Sequence, residues 1–198
     1  MLAHTDDKDL WQLYREGDRL ALGGLAERYY RVLRHYGLKF MVDEVVVEDC
    51  IQELFLQLWQ NRLQIGDTES VKHYLLKALR NHIIQHIRTQ KRVSYEELDW
   101  DTSVAEEADS ESLLIHQESL SLLTKRVQNQ LDLLPARERE VLYLRFYENL
   151  SVPEIAEVMQ VNRQSVSNLL QKALGKLRKR WLVHALLISW IFFQKNLL

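Results

Sequence analysis

Between Val93 and Thr124 the chain carries nine acidic residues and not one lysine or arginine. No other feature constrains its fold as much. The stretch is rich in Ser and Asp, and over 94–111 it is poor in periodic apolar positions. Such a segment cannot bury enough apolar surface to offset the entropy of ordering it. It predicts a mobile linker, and so two small packed units rather than one core. Residues 1–92 are near balance, with 14 basic and 13 acidic side chains, while 125–180 hold 11 basic against 6 acidic. The formal net charge of −2 therefore hides a basic C-terminal segment, and phosphates respond to the local field rather than to the total.

Both flanks read as helical. Only 2 prolines and 6 glycines occur, which suits long helices and short loops and fits poorly with a turn-rich β-sandwich. Over 8–40, Leu25, Tyr29, Val32, Leu33, Tyr36 and Phe40 recur at helical spacing, and Gly23-Gly24 predicts a break between two helices. The clearest helix is 47–62, VEDCIQELFLQLWQNR. There Ile51, Leu54, Phe55 and Leu58 form the inner stripe, with Glu48 and Asp49 placed in the first turn to favour the helix dipole. Its other face holds Gln52, Glu53, Gln57, Trp59, Gln60 and Arg62. Trp59 borders the stripe and fits either a core edge or an exposed partner contact.

The polar run 63–70, with Gly66, reads as a loop. A helix over 71–90 follows, with Val71, Leu75, Leu79, Ile83 and Ile87 inward. Lys72, His73, Tyr74, Lys77, Arg80, Asn81, Arg88, Lys91 and Arg92 fall mainly outside that stripe, giving a basic surface with an aromatic near its start. Beyond the acidic stretch, Leu113, Leu120, Leu123, Val127 and Leu131 predict a further helix.

Residues 133–181 predict a compact three- or four-helix pattern. Pro135 suits a helix start. Ser151 precedes a short helix with Pro153 in its first turn and Glu154 at the capping-box position, and Ile155, Ala156 and Met159 face inward. The turn at 160–162 leads to a second helix opening at Arg163, capped by Asn162 and packed by Val166, Leu169, Leu170, Ala173 and Leu177. Helix, tight turn and helix make a helix-turn-helix. Arg163, Gln164, Ser165, Ser167, Asn168, Gln171 and Lys172 lie at the start and outer face of its second helix. Gln and Asn can read adenine edges; Ser and Lys reach phosphates or bases. Lys176, Arg178, Lys179 and Arg180 add positive charge behind them. A plain helical hairpin with a solvated face fits the same spacing.

No spacing points to a catalytic nucleophile or triad. His82 and His86 sit four apart but have no third metal ligand and no Glu between them in the zinc-protease pattern, so no metal site is expected. Cys50 is the sole cysteine. The polar, acidic start MLAHTDDKDL lacks the form of a signal peptide, and a cytoplasmic protein is expected. The tail WLVHALLISWIFF, 181–193, falls short of the ~20 residues of a membrane span. It reads as a final helix packing on the C-terminal domain; a partner-binding helix or an interfacial membrane contact are the other readings.

Taken in order, the blocks VEDCIQELFLQLWQNR…SVKHYLLKALRNHIIQHIRTQKR and LPAREREVLYLRFYENLSVPEIAEVMQVNRQSVSNLLQKALGKLRK, with an acidic linker between them, resemble the sigma-70 family of bacterial RNA polymerase initiation factors. They are similar in particular to its small two-domain extracytoplasmic-function (ECF) group. The resemblance covers about residues 8–180. It implies an all-α fold with a region 2-like bundle over 8–92, a linker over 93–112, a region 4-like helix-turn-helix domain over 113–180 and an apolar tail over 181–198. It implies that Asp49, Gln52, Glu53, Phe55, Leu56, Trp59 and Arg62 dock on the clamp helices of the polymerase largest subunit, with the flap as a further contact. It gives the 63–70 loop and Lys72, His73, Tyr74, Lys77, Arg80, Asn81 and Arg88 to the −10 element and strand opening. The −35 element falls to Arg163, Gln164, Ser165, Ser167, Asn168, Gln171, Lys172 and Lys176. The linker would thread the polymerase cleft and RNA exit path. An anti-sigma protein, often membrane-anchored, is the implied regulator; no cofactor or small-molecule substrate is implied. The alternative is a helix-turn-helix regulator that binds duplex DNA without docking on polymerase.

Overall fold

A computed structural model describes residues 5–41, 43–91 and 129–195, with side chains described as far as Thr89 in the first half and Lys179 in the second. All regular structure among the described residues is helical, and the chain divides into two compact units, one carrying the N-terminal helices and the other most of the C-terminal half. The acidic linker and most of the helix expected from Leu113 lie outside the described residues; 129–132 of that helix are helical.

In the first unit, α1 (Asp7–Glu16) ends where Gly17 adopts φ 101°, a left-handed conformation that suits glycine, so that Asp18 N–H reaches Leu13 O at 2.9 Å. Asp18 at once caps α2 (Arg19–Gly37), its carboxylate accepting from Leu20 and Ala21 N–H at 2.7 and 3.3 Å. The helix break thus falls at Gly17-Asp18. The break expected at Gly23-Gly24 is absent, and both glycines sit inside α2. Each costs about 1 kcal/mol of helix propensity. Ala21, Leu25, Tyr29, Leu33 and Tyr36 are all buried along the same helix, and burying a large apolar side chain is worth about 1.5–3 kcal/mol, so packing wins.

Helix α3 (Glu44–Asn61) starts three residues before the expected Val47 because Asp43 is its cap, accepting from Val45 and Val46 N–H at 3.0 and 3.4 Å. Glu44, not Glu48 or Asp49, is therefore the first-turn acid. Three successive β-branched valines are weak helix formers, but Val47 is fully buried. It packs against Gly37, where a Cβ would lie 2.5 Å from Val47 Cγ1, so only glycine lets α2 and α3 approach this closely. Helix α4 (Val71–Lys91) buries Val71, Leu75, Leu79, Ile83 and Ile87 as expected, and Leu76 and Ile84 besides. Helices α1 to α4 pack around Leu10, Trp11, Tyr14, Leu33, Ile51 and Leu54. Arg28 and the Tyr29 hydroxyl both donate to the Asp7 carboxylate, tying α1 to α2; burial and that carboxylate push the Tyr29 pKa up.

In the second unit, α5 (Ala136–Leu142) follows Pro135 and runs into a π-helical turn, Tyr143–Tyr147. Tyr143 and Tyr147 stack at 4.9 Å, and the Tyr143 hydroxyl donates to Glu148 at 2.7 Å. Helix α6 (Val152–Met159), whose first turn belongs to this unit, carries the expected capping box, with Glu154 accepting from Ser151 N–H at 2.6 Å. Helix α7 (Arg163–Lys195) opens as expected, with Asn162 accepting from Ser165 N–H at 2.7 Å. Leu134, Leu142 and Ala173 form the core between α5 and α7, flanked by Leu131, Leu170 and Leu177. The tail is not a separate final helix: α7 continues unbroken through it, since no glycine or proline interrupts 176–195.

Candidate nucleic-acid interface

Three faces concentrate the predicted residues. The first is a groove. On α2, Leu22, Ala26 and Tyr30 recur every fourth residue, one position past the core stripe, and line one wall. Ile51, Gln52, Phe55, Leu56 and Trp59 of α3 line the other, leaving an open apolar groove of about 670 Å³ with Arg19 and Glu27 at its margins. Phe55, expected in the core, is only half-buried because it belongs to this groove. Leu56 is 62% exposed. The Trp59 ring lies under the Arg62 guanidinium at 4.4 Å and near that of Arg19 at 5.6 Å, so the residue is neither core nor free. Asp49 and Glu53 stay exposed on α3, outside the groove lining. An apolar trough rimmed by charge is the form of a protein-docking surface.

The second face begins where α3 ends. The chain over 63–70 is irregular and exposes Leu63, Gln64, Gly66, Asp67 and Glu69. Tyr74, Lys77, Asn81 and Arg88, spaced three, four and seven apart, then share one face of α4. Lys77, Asn81 and Arg88 are exposed, while Lys72, His73 and Tyr74 are half-buried. The Tyr74 ring meets Trp11 edge-on at 4.9 Å, and burial pushes its hydroxyl pKa up. Arg80 departs from expectation. It is 4% exposed and has a partner within the structure, so it is no part of this outer face. The signal was in the sequence: Arg80 stands four residues from Leu76 and four from Ile84, both buried. His82 is half-buried; burial pushes its pKa down, against the pull of Glu53. His82 and His86 join no third ligand, and no metal-binding cluster occurs among the described residues.

The third face is the start of α7. Arg163, Gln164, Asn168, Gln171 and Lys172 are exposed, and Ser165 and Ser167 are half-buried. Gln164 donates to Asn168 at 3.1 Å, pairing two candidate base readers, while the Ser167 hydroxyl donates to Arg163 O at 3.2 Å. Lys176 is committed elsewhere. Its ammonium bonds Glu138 at 2.7 Å, and that carboxylate is 5% exposed, with Oε2 lacking a hydrogen-bond partner among the described residues. Lys176→Met strands a buried carboxylate. It is expected to destabilise the C-terminal unit by about 1–2 kcal/mol, less than for a fully buried pair because the lysine side is half open to water. Urea unfolding of the full chain measures it, and an unchanged midpoint contradicts it.

Sequence reasoning missed two sets of residues: the α2 wall of the groove, and Trp11, Tyr14 and Arg15 of α1, which hold the main chain around the 63–70 loop. The first was visible as a second four-residue spacing beside the core stripe. The second had no local signal, because the partners are 44 to 55 residues apart.

A basic helix-turn-helix unit, joined in one chain to a helical bundle with an open apolar groove and a cationic helix face, is the make-up of a nucleic-acid-binding factor that also engages a protein. Sigma-70 region 2 matches residues 25–93, and Sigma-70, region 4 matches 131–179. The chain belongs to the sigma-70 family of RNA polymerase sigma factors, which act in transcription initiation. Among its relatives are the RNA polymerase sigma factor SigZ of Bacillus subtilis, 22% identical over 78% of this chain and 84% of that one, and the ECF RNA polymerase sigma factor SigX of the same species, 24% identical over 78% and 80%. CnrH, solved in complex with the cytosolic domain of CnrY, superposes with a TM-score of 0.60 at 22% identity, over 90% of this chain and 97% of that one. The Bartonella quintana sigma factor RpoE, solved with the anti-sigma factor NepR, gives 0.59 at 16% identity, over 79% and 94%. No helix among the described residues is long and apolar enough to cross a membrane.

Proposed function

We propose that this sigma factor docks on the clamp helices of core RNA polymerase through the α2–α3 groove and the adjoining face of α3. The contacts are Asp49, Gln52, Glu53, Phe55, Leu56, Trp59 and Arg62. The loop at 63–70 holds an unstacked −10 base, and Lys72, His73, Tyr74, Lys77, Asn81 and Arg88 follow the single strand. Arg163, Gln164, Ser165, Ser167, Asn168, Gln171 and Lys172 enter the −35 major groove, with a flap contact from the same domain. The working domains are 8–92 and 113–180, the acidic segment 93–112 threads the polymerase cleft, and the protein acts in the cytoplasm under an anti-sigma partner, membrane-anchored in one arrangement. RpoE, solved with the anti-sigma factor NepR, and CnrH, solved with the cytosolic domain of CnrY, support the last point by likeness.

The observation that carries this reading is continuity. The apolar groove, the exposed loop and the Tyr74–Arg88 face follow one another along α3, the loop and α4 of a single helical bundle. Docking on polymerase therefore fixes where melted DNA must pass. Trapping an unpaired base by stacking is worth about 1–3 kcal/mol, comparable to the unstacking cost, so opening needs no nucleotide hydrolysis. A regulator acting alone would carry a dimer or ligand module in the N-terminal half, and that half instead carries the Sigma-70 region 2 match over residues 25–93. Run-off transcription with added core polymerase over a promoter library tests the reading. Promoter-specific transcripts that depend on this subunit are expected. Tight duplex binding by the free chain with no specific transcripts would overturn it.

A further inference from the structure

We propose that α1 is a brace that sets the shape of the 63–70 loop before DNA arrives, with Trp11 and Arg15 as positioning residues for −10 base selection. The inference rests on the reading that this loop and α4 handle the −10 strand.

The loop belongs to no helix, so its main-chain carbonyls have no helical ladder and pair with water or with side chains of other elements. Two consecutive ones find partners on α1. Arg15 Nε donates to Ile65 O at 2.9 Å, and Trp11 Nε1 donates to Gly66 O at 3.2 Å. One turn along, the Tyr14 hydroxyl donates to Leu58 O at 2.6 Å, which fixes the end of α3 that feeds the loop. The second half of the loop is closed locally, where Thr68 Oγ1 donates to Ser70 O at 3.2 Å and accepts from Ser70 N–H at 3.3 Å. Hence the first half depends on α1 and the second does not. The same Trp11 ring carries the edge contact to Tyr74 at 4.9 Å, so a single side chain aligns the loop and the aromatic at the head of α4. Trp11 is fully buried, so packing fixes the ring that carries this part-buried hydrogen bond. The sigma-70 region 2 match begins at residue 25, so α1 lies outside it. A loop held in its binding shape loses less entropy on capturing a base, and this is where discrimination between bases gains.

The test uses the full chain reconstituted with core polymerase. Trp11→Phe keeps a ring against Tyr74 and removes the donor. Arg15→Met keeps the stem and removes the other donor; Arg15 is only half-buried, so this variant carries the test even where Trp11→Phe folds poorly. Arg15→Gln places an amide nitrogen as far along the side chain as Nε. The probes are single-stranded −10 oligonucleotides with the preferred base or an abasic site, measured by anisotropy. The preference for the base over the abasic site should fall about fivefold for either donor loss and about tenfold or more for both, on the usual net worth of such bonds. Arg15→Gln should recover much of it, and holoenzyme assembly should stay unchanged. Should Gln64→Ala and Asp67→Ala alter the preference while the α1 variants do not, the brace is wrong and the loop reading stands. Should neither set alter it, the loop reading fails and the brace with it.

Discussion

Leu56→Asp lowers affinity for core RNA polymerase by at least about thirtyfold, the scale of an interface hot spot, while the chain loses only the ~0.5–1 kcal/mol that an aspartate costs near the end of a helix. The two halves of that expectation come from one fact. Leu56 is 62% exposed in the free chain, so its isobutyl group contributes little to the bundle's own core, yet it lines the apolar groove between α2 and α3. A carboxylate there is solvated in the free chain and loses its water only when a partner covers the groove. The desolvation cost therefore falls on binding and not on folding. Trp59→Ala should act in the same direction, with a folding cost of about 0.5–1 kcal/mol from the lost contacts with Arg62 and Arg19. A competition assay against the unsubstituted chain measures both. Parental affinity in a correctly folded Leu56→Asp chain would place the docking surface elsewhere.

Periodicity reports what one helix does to its own faces, and that much was legible. The buried stripe of α4, the capping box at Ser151 and Glu154, the Asn162 cap and the inward set of Ile155, Ala156 and Met159 all follow from local spacing. The groove-lining face of α3 was legible for the same reason, since Gln52, Leu56 and Trp59 stand outside the core stripe. What escaped were features decided by packing between elements. Gly23-Gly24 looked like a break because local propensity disfavours them, but the α2 core face spans them without interruption. The true break at Gly17 is marked by its backbone conformation and by the Asp18 cap, a pair readable only once the break is placed. The groove needs two walls, and spacing on α3 could show only one. The π-helical turn at Tyr143–Tyr147 carries no pattern that separates it from the helix it extends.

Tyr74→Ala is expected to slow promoter opening by about tenfold or more, on the usual worth of one base–aromatic stack, while closed-complex affinity stays within about twofold. The asymmetry arises because Tyr74 stands at the head of α4, next to the loop, on the face shared with Lys77, Asn81 and Arg88. Duplex DNA presents phosphates to such a face and keeps its bases stacked inside, so the ring has nothing to grip until strands part. The ring is half-buried and rests edge-on against Trp11, so its loss also removes about 0.5–1.5 kcal/mol of aromatic contact from the bundle. Two comparisons separate that structural cost from the stacking role. Tyr74→Phe keeps the ring and the Trp11 contact and should open promoters at nearly the parental rate, since no hydroxyl bond is required for stacking. A template already unpaired across the −10 region should restore initiation by the Tyr74→Ala holoenzyme, because the step that fails has been done in advance. Stopped-flow fluorescence of a base analogue in the non-template strand follows opening directly. If closed and open complexes weaken together and the unpaired template brings no recovery, Tyr74 serves only to pack α4 against α1.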